Sequence, residues 1–106
     1  MAESTQEFRY FVNRLLGPRP TFPMDISPEE KELMGAHAQY WMKHMAEGRV
    51  VVFGPVLDPK GVWGLGVVRA RDEAEMRAML AGDPVISAQR GFSYESLPML
   101  SAVLPS

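Results

Sequence analysis

The sequence contains no cysteine. There is therefore no disulfide framework, no thiol nucleophile and no thiolate metal site, and packing alone must hold the fold together. Long apolar runs are also missing, since the longest, such as Val50 to Phe53, extend over only a few residues. A membrane-spanning helix needs about 20 apolar residues, and a secretory signal needs a basic start before its apolar stretch. We expect a cytoplasmic protein that has no membrane partner.

Clusters of lysine and arginine are likewise absent. The formal net charge is -2, with acidic and basic residues interspersed. Without a basic patch the protein cannot neutralise a run of phosphates, so no nucleic-acid partner is expected. Hydrophobic residues, in contrast, are plentiful and make up 46% of the 106 residues. That length supports one compact core and is too short for two domains of ordinary size. We expect a single domain over residues 1–106, with the polar residues 1–6 disordered.

The first half of the chain predicts a strand, a long loop and a long helix. A first strand is predicted over Glu7 to Leu15, because apolar Phe8, Tyr10 and Val12 alternate there with polar Arg9 and Asn13. The Pro-rich segment 16–27 is a long loop for a small domain, and such loops often act as a lid or rim. Ser27 to Glu30 has the sequence of a capping box with proline at the first helical position. The helix is expected to run to about Glu47 and to end at Gly48.

The second half predicts a hairpin, a second helix and a last strand. β-branched and aromatic residues favour strands, Asp-Pro-Lys-Gly favours a turn, and an Asp followed three residues later by Glu favours a helix start. The expected elements are a strand over 50–53 ended by Gly54 and Pro55, a strand over 62–68, a helix from Asp72 to about Ala81, and a short strand near Tyr94.

The resulting order is strand, helix, strand, strand, helix, strand. This order predicts an α+β domain of the ferredoxin-like βαββαβ type, with a four-stranded antiparallel sheet and two helices on one face. The other face of such a sheet is left uncovered, and a second copy of the chain would bury it in a two-fold homodimer. We expect Trp and Met side chains to lie on that face and to be buried by the partner.

His37 and Asp83 are the candidates for chemistry. His37 lies on the inward stripe of the long helix, where a histidine can act as a base or acid near neutral pH. The alternative is a structural histidine that is satisfied by hydrogen bonds. Asp83 lies between Gly82 and Pro84, where its carboxylate either orients an imidazole or caps the turn after the second helix.

Other residues are candidates for ligand contact. Gly54 and Pro55 permit close approach to the backbone or simply end a strand, and Tyr40 shares the inward stripe of His37. Trp63 and Trp41 either line a pocket for a small aromatic ligand or serve as core or dimer contacts. His44 follows His37 by two helical turns, about 10 Å, which is too far for one metal ion without further ligands. No metal and no cofactor is expected.

Four short motifs follow one another in the last two thirds of the chain. They are His-Ala-Gln-Tyr at 37–40, Glu47-Gly48 leading into Val-Phe-Gly-Pro at 52–55, Asp-Glu-Ala-Glu at 72–75, and Ala-Gly-Asp-Pro at 81–84. In order and spacing they closely resemble the YciI-related (YCII) family over about residues 37–99.

The resemblance implies a ferredoxin-like domain that dimerises as a dimeric α+β barrel. It also implies a cleft with a proposed catalytic pair, and the pair falls here on His37 and Asp83. Gly54 and Pro55 match a motif that borders this cleft in the family. A few relatives act on chlorinated or hydroxylated aromatic rings or on lactones. The function expected on this basis is a small cofactor-independent lyase or isomerase that moves a proton on a cyclic or phenolic substrate. The alternative is a dimer that binds a small molecule, or serves as a scaffold, without catalysis.

Overall fold

A computed structural model describes residues 8–105 of the protein. In chain order, the elements are β1 (Arg9–Leu16), α1 (Pro28–Ala46), β2 (Val50–Val56), β3 (Trp63–Ala70), α2 (Glu73–Ala81), α3 (Pro84–Ser87) and β4 (Ser93–Pro98). The disorder expected for residues 1–6, and the start of the first strand at Glu7, lie outside the described residues. Among residues 8–105, none of the helices combines the length and the apolar composition that a membrane span requires.

The four strands form one antiparallel sheet in the order β2-β3-β1-β4. β1 and β2 run in the same direction with β3 between them, so α1 connects two strands that are not neighbours. The same holds for β3 and β4, which lie on either side of β1. The predicted ferredoxin-like α+β fold is confirmed, with the helices packed on the sheet.

The side chains of β1 alternate between the two faces of the sheet. Phe11, Asn13 and Leu15 are buried, and the residues between them are less so. Helix residues such as Trp41 and Met76 pack on this face and share one hydrophobic cluster with Phe11. Because side chains of a strand point alternately to opposite faces, the buried residues of β1 mark the helix-covered face.

The start of α1 is as predicted. Ser27 accepts a hydrogen bond from the Glu30 backbone N–H at 3.1 Å, and the Glu30 carboxylate accepts one from the Ser27 N–H at 2.9 Å. Arg19 reaches the same carboxylate from the Pro-rich loop, with contacts of 2.7 Å. These hydrogen bonds, those of Arg19 first, lower the pKa of Glu30 to about 2. The loop is thereby tied to the helix start.

Two details of the secondary structure differ from the expectation. β2 does not end at Gly54 and Pro55 but continues to Val56. β2 is an edge strand that pairs only with β3 within the described sheet. Proline is tolerated there because no second strand needs a hydrogen bond from its missing N–H. The chain also forms a third helix of four residues after α2, with Asp83 at its N-cap and Pro84 at its first position.

The helix-free face of the sheet carries an apolar row next to the Arg14–Glu95 ion pair. Val52 pairs with Val67, Val67 with Val12, and Val12 with Leu97, so one apolar row crosses all four strands. Val52 and Leu97 are exposed, at 46% and 64% of their surface. The expectation of methionines on this face is wrong, because none of the four strands contains a methionine.

Candidate active site

A cavity of about 350 Å³ lies between the sheet and α1. The Pro-rich loop forms one wall through Gly17, Phe22, Pro23 and Ile26, and α1 contributes Met34, His37, Ala38 and Trp41. Most of the lining is apolar. Among the described lining residues, the side chains with a polar nitrogen or oxygen are Asn13, His37, Trp41, Trp63 and Tyr94, and none is charged as Lys, Arg, Asp or Glu. The size suits a small molecule.

Asp83 is the hydrogen-bond centre beside this cavity. Its side chain is fully buried, and its Oδ2 accepts hydrogen bonds from His37 Nδ1 at 2.8 Å, Trp41 Nε1 at 2.7 Å and Tyr94 O–H at 2.6 Å. The other oxygen, Oδ1, accepts the backbone N–H of Val85 at 3.1 Å. A buried carboxylate is tolerated because donors compensate its lost hydration, and here both oxygens have donors.

Asp83 remains ionised in this environment. Burial alone raises the pKa of its carboxyl, but the hydrogen bonds from His37, Tyr94 and Trp41 outweigh burial, and the net pKa lies below the ordinary value. Burial and the nearby Asp83 carboxylate raise the pKa of Tyr94, which stays a neutral donor. The carboxylate therefore carries a negative charge that faces only donors.

His37 connects this carboxylate with the cavity. Its side chain is 14% exposed, its Nδ1 lies at Asp83, and the residue lines the cavity. An ionised carboxylate only accepts, so Nδ1 carries the proton and the neutral ring has its lone pair on Nε2. The hydrogen bond that the His37 ring makes within residues 8–105 uses Nδ1 and not Nε2. The ring is thus held by one nitrogen and leaves the other for a ligand.

Two interpretations of Asp83 were open from sequence, and the geometry satisfies both. Asp83 caps α3 through Val85, as a turn residue would, and it also accepts from the imidazole of His37. The two functions use different oxygens. Capping therefore positions the carboxylate that orients the ring.

All but one of the predicted ligand-contact residues line the cavity. Gly54, Pro55 and Trp63 are among them. The Trp63 indole is itself fixed, because its N–H donates to Asp58 at 3.0 Å and Arg14 stacks on its ring at 4.6 Å.

Tyr40 lies outside the described cavity lining. Its O–H donates to the Met79 carbonyl at 2.6 Å, and its ring packs edge to face on Trp41. The structure therefore places Tyr40 at the α1–α2 contact rather than beside His37.

His44, the second histidine, is also away from the cavity. Its ring packs against Tyr40 and Trp41, with centroids 4.7 and 5.4 Å away, and burial lowers its pKa. Across the part of the chain that the structure describes, no group of three or more His, Asp or Glu residues is placed to hold a metal ion.

Two residues of the site were missed from sequence. Tyr94 was expected only as a strand residue, yet its hydroxyl contacts Asp83. Asn13 lies between Phe11 and Leu15 on the buried side of β1 and lines the cavity. The alternation predicted from Phe8, Tyr10 and Val12 put Asn13 on the polar side of the strand, and that prediction is wrong, because Phe11 and Leu15 face the helices and Asn13 is buried between them.

Comparison with known proteins agrees with this fold. The family profile described as "YCII-related domain" matches residues 13–100. Among solved structures, the chain is similar to the NE2512 protein of unknown function from Nitrosomonas europaea, with 15% sequence identity, a TM-score of 0.51, and coverage of 95% of this chain and 98% of that chain. At this identity the likeness concerns the fold alone. No curated protein matches the chain.

Proposed function

This chain belongs to the YCII-related domain family, and we propose that it is a small cofactor-independent enzyme in which His37 moves a proton on a small cyclic or phenolic substrate. The observation that carries the proposal is the 2.8 Å hydrogen bond between His37 Nδ1 and the buried Asp83 carboxylate, on a histidine that lines the cavity. This pairing leaves Nε2 as the basic atom of the ring.

Asp83 has two roles in the proposed reaction. It holds His37 in the tautomer with the proton on Nδ1, and it stabilises the imidazolium that forms when Nε2 takes a proton. The proton then returns to another atom of the same substrate, as in an isomerisation, or accompanies loss of a leaving group, as in a lyase reaction. Neither reaction changes the net oxidation state, so neither needs an external oxidant.

The cavity favours a neutral substrate. No lining residue within the described chain carries a formal charge other than a protonated His37, and burying an ionised ligand without a partner is costly. The apolar walls would exclude water and leave His37 as the main proton acceptor near a bound ring. A small phenol or lactone has the required size and neutrality.

The experiment uses deuterium exchange, which detects proton transfer even where the product of the reaction is not identified. Small phenols, lactones and cyclic ketones are incubated with the protein in deuterium oxide, and exchange of their carbon-bound hydrogens is followed by NMR. His37→Asn is the key variant, since its amide can still donate to Asp83 but cannot act as a base. Tyr40→Phe, outside the described cavity lining, is the matched control.

The proposal expects exchange with the wild type and Tyr40→Phe and none with His37→Asn. Equal exchange with His37→Asn would remove His37 from the chemistry. No exchange with any compound would leave the proton-transfer function without support.

A second candidate function is binding without catalysis. It is favoured by one specific observation: three of the four hydrogen bonds that the Asp83 carboxylate accepts among the described residues come from Trp41, Tyr94 and Val85 rather than from His37. In this case the carboxylate serves mainly to join α1, α3 and β4, and His37 only binds a ligand. A thermal shift produced by a compound that is recovered unchanged would favour this function.

A homodimer in the manner of a dimeric α+β barrel forms part of the proposal. The apolar row of Val52, Val67, Val12 and Leu97 crosses the helix-free face, and contiguous exposed apolar surface of this kind is usually covered by a partner. A second copy supplies an identical row, so a two-fold axis brings like surfaces together. The proposed dimer therefore buries both rows.

A further inference from the structure

Asn13 is a buried amide without a protein partner. The residue is 1% exposed, and neither its Nδ2 nor its Oδ1 makes a hydrogen bond within residues 8–105. An unpaired buried amide is costly, and native proteins keep such groups mainly where function requires them. Asn13 also lines the cavity that contains His37.

The surroundings of Asn13 leave room for a ligand. In the sheet register Asn13 is opposite Gly66 on β3, and a Cβ built on Gly66 would meet no atom within 4 Å. Gly66 lines the same cavity. The glycine therefore keeps the space open on the strand next to the amide.

Three of the other polar side chains in the described lining already donate hydrogen bonds to carboxylates. Trp41 and Tyr94 both donate to Asp83, and the indole N–H of Trp63 donates to Asp58. Only Asn13 and His37 remain with unpaired polar atoms among the described lining side chains that carry them. A primary amide offers one donor group and one acceptor together.

We infer that Asn13 determines ligand specificity and that its amide pairs with a neutral ring compound bearing a hydrogen-bond donor next to a carbonyl. The ligand carbonyl accepts from Nδ2–H and the adjacent ligand N–H or O–H donates to Oδ1, which satisfies both atoms at once. A carboxylate would meet the Asn13 carbonyl oxygen unfavourably and would have no lysine or arginine in the described lining. The inference rests on the cavity being the ligand site of the proposed function.

The test compares δ-valerolactam, which has N–H beside C=O, with N-methyl-δ-valerolactam, which keeps the ring and the carbonyl but lacks the donor. Affinities are measured by NMR titration of the full-length protein. The wild type is expected to prefer the unmethylated lactam by about tenfold or more, because the methylated one leaves Oδ1 buried and unpaired. Equal affinities, or no binding of either compound, would overturn the inference.

Asn13→Leu, a change of nearly equal volume, is the decisive variant. If Asn13 serves a ligand, leucine removes an unpaired amide from the core, so the melting temperature rises and the preference for the unmethylated lactam disappears. A fall in melting temperature would show that the amide has a structural partner such as water, and would contradict the inference. A preference that survives in Asn13→Leu would contradict it as well.

His37→Asn separates this inference from the proposed function. The lactam preference is expected to persist in His37→Asn even though deuterium exchange is lost. If exchange is absent in every protein but the preference depends on Asn13, the inference stands and the catalytic proposal fails. If exchange occurs and does not depend on Asn13 or on the donor, the catalytic proposal stands and the inference fails.

Discussion

Asp83 and His37 are 46 positions apart in the chain and are joined by a hydrogen bond of 2.8 Å. The same carboxylate also accepts from Trp41, Tyr94 and the Val85 N–H. Asp83→Ala leaves these buried donors unpaired, so we expect a loss of about 3–5 kcal/mol in the free energy of unfolding. Urea denaturation measures this loss. A loss below about 1 kcal/mol would mean that the donors find other partners.

The acid stability of the fold should depend on Asp83. Its folded pKa is below the ordinary value of 3.8, so the ionised carboxylate contributes stability that is fully present above about pH 4 and is lost as the pH falls through the folded pKa. The wild type should therefore exceed Asp83→Asn by a larger margin at about pH 5 than at about pH 2. Urea denaturation of both proteins at each pH gives the two margins. A margin independent of pH would show that the fold does not lower the pKa of Asp83, and a larger margin at the lower pH would show that the fold raises it.

Filling the cavity from Gly66 should abolish binding without unfolding the protein. A Cβ at Gly66 would meet open space, and valine suits a strand. Gly66→Val should therefore change the free energy of unfolding by less than about 1 kcal/mol. Binding of δ-valerolactam should be lost in the same NMR titration.

Gly35→Ala is the matched control for Gly66→Val. It adds a Cβ into open space on α1 at a position outside the described cavity lining, so binding should be retained. Undiminished binding in Gly66→Val would place the ligand elsewhere.

Tyr40 and Gly82 should be energetically coupled. A Cβ at Gly82 would lie 2.5 Å from the Tyr40 hydroxyl oxygen, which donates to the Met79 carbonyl. Gly82→Ala should therefore cost about 1–3 kcal/mol in the wild type, because the hydroxyl must move. In the Tyr40→Phe background the cost should be smaller, since the clashing oxygen is absent. Urea denaturation of the four proteins gives the coupling energy, and strict additivity would contradict this contact.

A charge in the apolar row should separate the proposed dimer. Val67 lies in the centre of the row, between Val52 and Val12, so Val67→Lys places a charge where a partner would bury it. Sedimentation at micromolar concentration should find a dimer for the wild type and a monomer for Val67→Lys. Leu57→Lys, at a loop residue that is 86% exposed, is the control and should remain dimeric. A monomeric wild type would contradict the proposal.

The element order was accessible from sequence because it depends on local interactions. The capping box at Ser27 and the cap at Asp72 act within four residues of chain. The period of two along β1 is also local, but which of its two faces meets the helices is not. The continuation of β2 through Pro55 was not accessible, because only the strand order reveals that β2 is an edge.

The candidate site could be predicted in part. His37 and Asp83 came from a helical stripe and a family resemblance, but their contact depends on how α1 packs beside α3, which no local pattern encodes. Tyr40 shares the stripe with His37 yet faces α2 instead of the cavity, because a stripe defines one side of a helix and not which neighbour meets each residue.

The sequence by itself determined the four strands, the two longer helices and their order, since these follow from backbone preference and side-chain period. Only the tertiary structure decided that Trp41, Tyr94 and His37 donate to one oxygen of Asp83 and that Asn13 lies unpaired in the same cavity. The reason is physical: hydrogen bonds act over about 3 Å, and packing alone brings residues from α1, β1 and β4 within that distance or leaves them without a partner.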